Sequence, residues 1–253
     1  MTTKILPALT FIFLSPLASA SLVNDVIAKA NNGDLYAQEF LGYQYMNGGY
    51  VDIDLSKSEQ WLLMAERGGS VAAQAMLGEL YADKLGRIKD GVAKYEMAIA
   101  AGNSDAKCTY ATWILRQSGN DVFKKEEWPA EYKKAMSLIG QAANSGVPHC
   151  QFINGISVLQ NDKVAAFKSF SAAAKQCHPN AMSLLADLYF RGDGVLQNFT
   201  EAYVFYSVSA ALGATTKGNN EKRDLISGRY LEPAELKTAK RKASEIYNDC
   251  SVM

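Results

Sequence analysis

Residues 181–213 read AMSLLADLYFRGDGVLQNFTEAYVFYSVSAALG, and this stretch decides the fold. Ala181, Leu185 and Tyr189 recur at every fourth residue, a spacing that places them along one face of a helix. A Gly-Asp-Gly turn follows, and a second apolar run closes on Gly213, where a left-handed glycine can end a helix. The stretch therefore predicts two antiparallel helices joined by a short turn.

The same arrangement recurs over most of the chain. Each copy opens with a small residue four positions before a bulky one, as at Ala37 and Leu41, and closes on glycine or, once, on Cys177. A single helix pair cannot bury both of its apolar faces, whereas stacked pairs share one core. We therefore expect an all-α solenoid with copies at residues 33–68, 69–102, 103–146, 147–177 and 178–213.

The repeated motif resembles that of a known family. The pattern Ala-x3-Leu-Gly-x2-Tyr at Ala37–Tyr45 and Ala73–Tyr81, with a glycine turn such as Gly192–Val195, is similar to the Sel1-like repeat, a relative of tetratricopeptide repeats. The resemblance implies a right-handed superhelical solenoid of antiparallel helix pairs over residues 21–213, closed by capping helices in residues 214–253. It also implies a scaffold for protein partners rather than a particular chemistry.

The N-terminus has the pattern of a secretory signal peptide. Lys4 precedes an apolar stretch from Ile5 to Leu17, and the small residues Ala18-Ser-Ala20 follow. A basic start, a short apolar core and such a triplet predict export, with cleavage after Ala20. An uncleaved membrane anchor is the alternative, although the stretch is short for a bilayer and contains prolines. We expect a periplasmic or secreted protein that has lost residues 1–20.

The charge balance limits the classes of partner. The chain has 26 basic and 26 acidic side chains, so its formal net charge is zero. A nucleic-acid binder needs a basic footprint, which this composition does not provide. No segment after the signal peptide is apolar enough for a membrane span. We therefore expect a protein partner, no nucleic acid and no stable membrane insertion.

The cysteines of an exported chain suggest disulfides. By repeat register, Cys150 begins the first helix of the fourth copy and Cys177 ends its second helix, so these two helix ends should lie side by side. A Cys150–Cys177 disulfide is the expected pairing. A Cys108–Cys150 pair and unpaired cysteines are the alternatives, and Cys250 is expected to be free.

The two histidines leave one metal alternative open. His149 and His178 each neighbour a cysteine, and two His with two Cys are ligand types that zinc accepts. Catalysis is less favoured, because the chain lacks a Gly-x-Ser-x-Gly elbow and the glycine-rich phosphate-binding motifs. We expect no cofactor and no enzymatic activity.

The first helices of such a solenoid line one surface, which is the candidate groove for a partner. Positions two before and two after each buried bulky residue should face it, and their aromatic, apolar and acidic groups suit a protein partner. The predicted groove residues are Tyr36, Glu39, Tyr43, Met46, Glu79, Thr112, Phe152, Ile156 and Asp187. The alternative is that they are ordinary surface or packing positions.

An insertion in the third copy adds a second candidate contact through Phe123 and Trp128, unless the tryptophan folds back on the solenoid. These features together predict a non-enzymatic protein-binding scaffold of the bacterial periplasm. It would be either an immunity protein that neutralises a secreted toxin or an adaptor of the cell envelope. The family resemblance leaves two alternatives, a β-lactam-binding or β-lactam-hydrolysing enzyme and a secreted factor that engages host proteins.

Overall fold

The computed structural model describes residues 16–117 and 130–252, with side chains from residue 23 onward. Every regular element in these ranges is a helix, which confirms the predicted all-α class. The chain forms two compact units, the N-terminal unit Ile12–Gln141 and the C-terminal unit Ala142–Met253. Most of the predicted signal peptide lies outside the described residues. Within the described part, none of the helices is long and apolar enough to cross a membrane.

The N-terminal unit consists of consecutive antiparallel helices. Its elements are α1 Pro16–Asn31, α2 Leu35–Asn47, α3 Leu55–Arg67, α4 Val71–Glu79, a π-helical turn Leu80–Lys84, α5 Ile88–Ala100, α6 Ser104–Gln117 and α7 Ala130–Asn144. Helices α2 and α3 pack against each other, as do α4 and α5. The first helices of successive pairs are neighbours, since α2 contacts α4 and α4 contacts α6.

The C-terminal unit repeats this arrangement and adds two further helices. Its elements are α8 Pro148–Val158, α9 Lys163–Ala174, α10 Pro179–Arg191, α11 Phe199–Ala211, α12 Asn219–Arg229 and α13 Pro233–Ser251. Helix α8 packs on α9 and α10 on α11, while α12 and α13 both pack on α11. The core of this unit includes Phe170, Leu185 and Tyr206, all of which are buried.

Each helix pair ends in the same left-handed turn. In the first pair the left-handed residue is Gly69, with a φ of 95°, and not Gly68, the last residue of the predicted copy 33–68, whose φ is −76°. The N–H of the next residue, Ser70, bonds to the carbonyl of Ala65 at 2.9 Å. This is the Schellman arrangement, and a residue without a Cβ adopts it most easily. The exception is Cys177, whose φ is 61° although it is not glycine. The sequence analysis placed Cys177 at the closing glycine position, and its conformation confirms that placement.

Small residues let the two helices of a pair approach closely. A Cβ added at Gly42 would lie within 2.4 Å of the Leu62 side chain, and one at Gly78 would lie 2.7 Å from the Tyr95 ring. Gly155 has the same relation to Phe170 in the C-terminal unit, at 2.5 Å. Contacts this short cannot be made by real atoms, so a larger residue at these positions would separate the helices.

The capping helix α13 is joined covalently to the repeat that it covers. Its buried Ala239 and Ala243 belong to the core of the C-terminal unit, and a disulfide joins Cys250 to Cys177 with a Cα–Cα distance of 5.5 Å. The predicted Cys150–Cys177 disulfide and the expectation that Cys250 is free are therefore wrong. The repeat register placed Cys150 beside Cys177 but held no information on α13, which has no counterpart in the repeat.

None of the four cysteines is free. The alternative Cys108–Cys150 pairing stays a prediction. Zinc coordination by His149, Cys150, Cys177 and His178 is excluded as a four-ligand set, because the Cys177 sulfur is in a disulfide and is no longer a thiolate.

Candidate partner-binding surface

The solvent-exposed sides of α2, α4 and α6 form a surface of the N-terminal unit that we call the first-helix face. Tyr36 and Tyr43 of α2 are 67% and 47% exposed. They are seven residues apart, close to two helical turns, so both side chains lie on the same side of the helix. Two large aromatic side chains exposed together are typical of residues that contact a partner.

Glu39 lies on the same helix and links it to the next repeat. Its carboxylate accepts a hydrogen bond from the Ser70 hydroxyl at 2.5 Å. Ser70 is also the N-cap of α4, because its hydroxyl oxygen accepts from the backbone N–H of Ala73 at 2.9 Å. Glu39 therefore orients the start of α4 and keeps a half-buried carboxylate at the first-helix face.

Glu79 occupies in α4 the register position that Tyr43 occupies in α2, six residues after the motif alanine. Burial raises the pKa of its carboxyl, while Lys84 and Arg116 attract it and oppose the shift. Arg116 is held by Asp83 at 3.0 Å. Glu79 makes no direct ion pair or hydrogen bond with any described residue, although the charges of Lys84 and Arg116 act on its partly desolvated carboxylate.

Two other predicted groove residues make contacts within the fold. The Thr112 hydroxyl of α6 donates to the carbonyl of Cys108 at 2.8 Å, within its own helix. Met46 is only 1% exposed and packs in the core with Leu62 and Leu77, so its assignment to the groove is wrong. It comes ten residues after Tyr36, and at roughly 100° per residue it is turned about 80° away from that side chain.

Phe152 and Ile156 of the C-terminal unit are half-buried packing residues. The Phe152 ring stacks on the imidazole of His178 at 4.7 Å and lies 6.2 Å from the Phe170 ring. Ile156 packs against the same core cluster. Both side chains contribute to the interior of this unit, and only their outer edges reach solvent.

Asp187 of α10 is occupied by contacts within the fold. Its carboxylate accepts from the Tyr206 hydroxyl of α11 and from the Lys222 ammonium of α12, the latter at 2.6 Å. Burial and the neighbouring Asp187 carboxylate raise the pKa of Tyr206. One turn earlier, the buried Ser183 donates to the side chain of Asn219 in α12 at 2.7 Å. Helix α12 thus covers the face of α10 that the sequence analysis assigned to a partner.

The two histidines form a small cluster at the start of α10. His178 is the N-cap residue, and its Nδ1 accepts from the backbone N–H of Ala181 at 3.2 Å. Because Nδ1 accepts, the proton of the neutral ring lies on Nε2, which is 3.4 Å from Nδ1 of His149. Desolvation and the neighbouring His149 lower the pKa of His178 to about 4. Desolvation also lowers the pKa of His149.

This hydrogen-bond pattern disfavours a metal between the two rings. A metal on Nε2 of His178 would move the ring proton to Nδ1 and break the cap of α10. Among the described residues, no three or more His, Cys, Asp and Glu side chains are grouped as metal ligands would be.

Sequence reasoning missed one further feature of the N-terminal unit. Tyr110, Trp113 and Lys134 line a cavity of about 820 Å³ between α6 and α7. Tyr110 stacks on Trp113 with ring centroids 6.1 Å apart, and the Lys134 ammonium lies 4.9 Å from the Tyr110 ring. Tyr110 and Trp113 lie in α6 and Lys134 lies in α7. The third copy is irregular, so the repeat pattern did not predict which residues of α7 face α6. The predicted contacts Phe123 and Trp128 lie outside the described residues.

Comparison with known proteins agrees with this architecture. The Sel1 repeat family matches residues 35–70, which contain α2 and α3, and residues 179–213, which contain α10 and α11. No curated protein matches the sequence significantly.

Two solved structures are similar in fold. A Sel1 repeat protein from Oxalobacter formigenes has a TM-score of 0.56 at 21% identity, over 90% of this chain and 96% of its own. A protective antigen of uropathogenic Escherichia coli with an SLR fold has a TM-score of 0.52 at 20% identity, over 92% of this chain. This chain spans 57% of the length of that antigen. At these identities the likeness extends to the fold alone.

Proposed function

Because this chain belongs to the Sel1-like repeat family, we propose that it is an exported, non-enzymatic scaffold that binds another protein through the first-helix face. Sel1 repeats generally mediate protein–protein interactions. The observation that carries the proposal is the pair of exposed aromatic side chains Tyr36 and Tyr43 on one side of α2. A folded chain gains nothing from exposing two tyrosines side by side, whereas a partner that covers them gains apolar area and hydrogen bonds.

Export is supported by two features of the chain. The signal-peptide pattern at residues 1–20 is one. The other is the Cys177–Cys250 disulfide, since such bonds persist in oxidising compartments such as the periplasm. In that compartment the scaffold would be an immunity protein for a secreted toxin or an adaptor between envelope proteins.

These two roles differ in stoichiometry. An immunity protein binds one toxin tightly and in a one-to-one complex, whereas an adaptor contacts several proteins more weakly. The β-lactam-directed enzyme and the host-directed factor remain predictions from the resemblance. An enzyme would need a nucleophile beside a free base, and the Nδ1 lone pair of His178 is already used to cap α10.

The proposal is tested with the oxidised mature chain, residues 21–253, used as bait on envelope extract of the source cells. Captured proteins would be quantified by mass spectrometry for the wild type, for Tyr36→Ala/Tyr43→Ala and for the control Tyr247→Ala, which removes another exposed tyrosine. We expect the wild type and the control to capture the same proteins and the double variant to lose them. Capture that is unchanged in the double variant would contradict the proposed surface.

Export is tested separately by locating the full-length chain after cell fractionation. A processed form in the periplasm or medium is expected. An unprocessed form that stays in the cytoplasm would contradict export without affecting the binding surface.

A further inference from the structure

In the N-terminal unit, the second helices of the pairs are α3, α5 and α7. Acidic side chains on these helices form ion pairs with lysine or arginine side chains of the next one. Arg87 of the α5 N-terminus bonds to Glu59 of α3 at 2.9 Å, and Lys94 of α5 bonds to Glu66 of α3 at 2.6 Å. Lys134 of α7 continues the series by pairing with Glu96 of α5 at 3.2 Å. The second helices thus neutralise their own acidic groups from one repeat to the next.

The first-helix face is not neutralised in this way. The first helices α2, α4 with its π-helical turn, and α6 carry four acidic side chains, Glu39, Glu79, Asp83 and Asp105, and three basic side chains, Lys84, Lys107 and Arg116. Arg116 is bound to Asp83. Among the described residues, neither Glu39 nor Glu79 has an ion pair, and the charges of Lys84 and Arg116 lower the pKa of Glu79 without a direct bond to it. The first helices therefore carry one acidic side chain more than basic ones, and Glu39 and Glu79 are acidic groups without an ion pair.

A second buried group at this place also lacks a partner. The Tyr95 side chain is fully buried, and its hydroxyl makes no hydrogen bond with any described residue. Its ring packs against Gly78, the residue before Glu79 in α4. Burial, together with the charges of Glu79 and Asp83, raises the pKa of its hydroxyl. A buried polar group without a partner costs free energy.

Tyr43 completes the arrangement. It has the same register position as Glu79 on the neighbouring helix, and α2 and α4 are in contact. A carboxylate withdrawn from water beside an exposed aromatic ring is complementary to a cationic side chain, which forms an ion pair with the one and a cation–π contact with the other. An acidic segment would instead be repelled by Glu39 and Glu79.

We infer that the partner of this scaffold presents a lysine or arginine side chain to Glu79, beside Tyr43, on the first-helix face. The inference rests on the proposed function and specifies the chemistry of the partner. It places the basic side chain at a half-buried carboxylate that has no direct ion pair, with Glu39 of α2 as a second acidic group on the face.

The test is selection of a random peptide library displayed on phage against the immobilised, oxidised mature chain. The wild type is compared with Glu39→Gln/Glu79→Gln, which keeps the shape of both side chains and removes their charge. The control is Glu221→Gln/Asp249→Asn, which removes two exposed charges elsewhere. Circular dichroism and thermal unfolding of the three proteins would verify that all are folded.

We expect the wild type and the control to enrich peptides that contain lysine or arginine, and the Glu39→Gln/Glu79→Gln variant to lose that preference. For the best peptide, Glu79→Gln should weaken binding about tenfold, the loss of one charge-assisted hydrogen bond. Higher salt should weaken wild-type binding further.

Two results would overturn the inference. Enriched peptides that lack basic residues, but lose binding in Tyr36→Ala/Tyr43→Ala, would contradict it and leave the proposed scaffold intact. A basic preference that survives in Glu39→Gln/Glu79→Gln would place the charge recognition elsewhere. Enrichment of no peptide by any of the proteins would count against both the inference and the proposed function.

Discussion

Tyr43 of α2 and Asp187 of α10 occupy the same position of the repeat, six residues after Ala37 and Ala181, yet their surroundings differ. Tyr43 is 47% exposed and forms part of an open face. Asp187 is enclosed by Tyr206 and by Lys222 of α12. The same register position is therefore a free surface in one copy and an internal link in another, because Lys222 of α12 and Tyr206 of α11 bond to the side chain in the last copy.

The comparison explains which groove residues the repeat pattern predicts well. Register gives the direction in which a side chain leaves its helix. At the predicted positions Tyr36 and Tyr43 are exposed and Glu39 and Glu79 are half-buried, and their contact with a partner stays a prediction. Register does not predict whether another helix will pack over that side chain. In the C-terminal unit, the non-repeating helix α12 determines the surroundings of Asp187, and α13 supplies Cys250 of the disulfide.

The largest expected effect concerns the link between α13 and the last repeats. Cys250→Ser removes a disulfide that closes a loop with a sequence separation of 73 residues. In the chain-entropy account this should lower the free energy of unfolding of the C-terminal unit by about 4 kcal/mol. Hydrogen exchange read by mass spectrometry on peptides from 142–253 would measure it.

The control for this variant is Cys177→Gly in the same Cys250→Ser background. Glycine suits the left-handed φ of 61° at that position, so part of the stability should return. Exchange rates in α10 and α13 that do not change when the disulfide is removed would contradict the role given to it.

The second effect tests whether Asp187 is an internal link. Asp187→Ala leaves the buried Tyr206 hydroxyl without its acceptor and should destabilise the C-terminal unit by about 2 kcal/mol. Tyr206→Phe added to Asp187→Ala removes the orphaned donor, so the double variant should be no less stable than Asp187→Ala alone. Urea unfolding followed by tyrosine fluorescence provides the measurement. Additive losses in the double variant would argue against a direct Asp187–Tyr206 interaction.

A smaller effect depends on pH. The pKa of His178 is lowered to about 4 in the fold, whereas an unfolded histidine titrates near pH 6.5. The folded chain therefore binds fewer protons between these values, so its contribution to stability is complete above pH 6.5 and decreases as the pH falls toward 4.

His178→Asn should remove this dependence, because asparagine caps a helix equally well and does not titrate. We expect the wild type to lose more stability than the variant between pH 7 and pH 5, measured as the shift in thermal unfolding temperature. The variant His149→Gln should retain part of the dependence. Identical pH profiles for the wild type and His178→Asn would contradict the capping role of the ring.

The smallest expected effect is the change in the free energy of unfolding when an exposed side chain of the first-helix face is removed. Tyr43→Ala should change the free energy of unfolding by no more than about 0.5 kcal/mol, because the side chain makes few contacts within the fold. This near-zero value contrasts with Asp187→Ala at the same register position. A loss of several kcal/mol would mean that Tyr43 is a packing residue and not a surface for a partner.

Much of the fold follows from the residue pattern. The spacing of Ala37, Leu41 and Tyr45 reflects the helical period, and the glycines mark left-handed turns that only a residue without a side chain adopts easily. Cys177, which stands where other copies have glycine, also has a left-handed conformation. Local sequence sets these features, so no tertiary information is needed to predict them.

The errors arise where tertiary packing decides. The repeat pattern assigned Met46 to the groove, but its side chain packs in the core beside Leu62. Cys250 lies in a helix without a repeat counterpart, so register could not place it beside Cys177. Arg116 forms its ion pair with Asp83 and not with Glu79, a choice that the sequence pattern does not specify.

The central claim is that the first-helix face of the N-terminal unit binds a protein partner and that the covered face of α10 does not. The most direct test introduces a photo-crosslinking amino acid at position 43 or at position 187 of the chain in its source cells. We expect a discrete crosslinked protein from position 43 and none from position 187. Equal crosslinking from both positions, or crosslinking from position 187 alone, would contradict it.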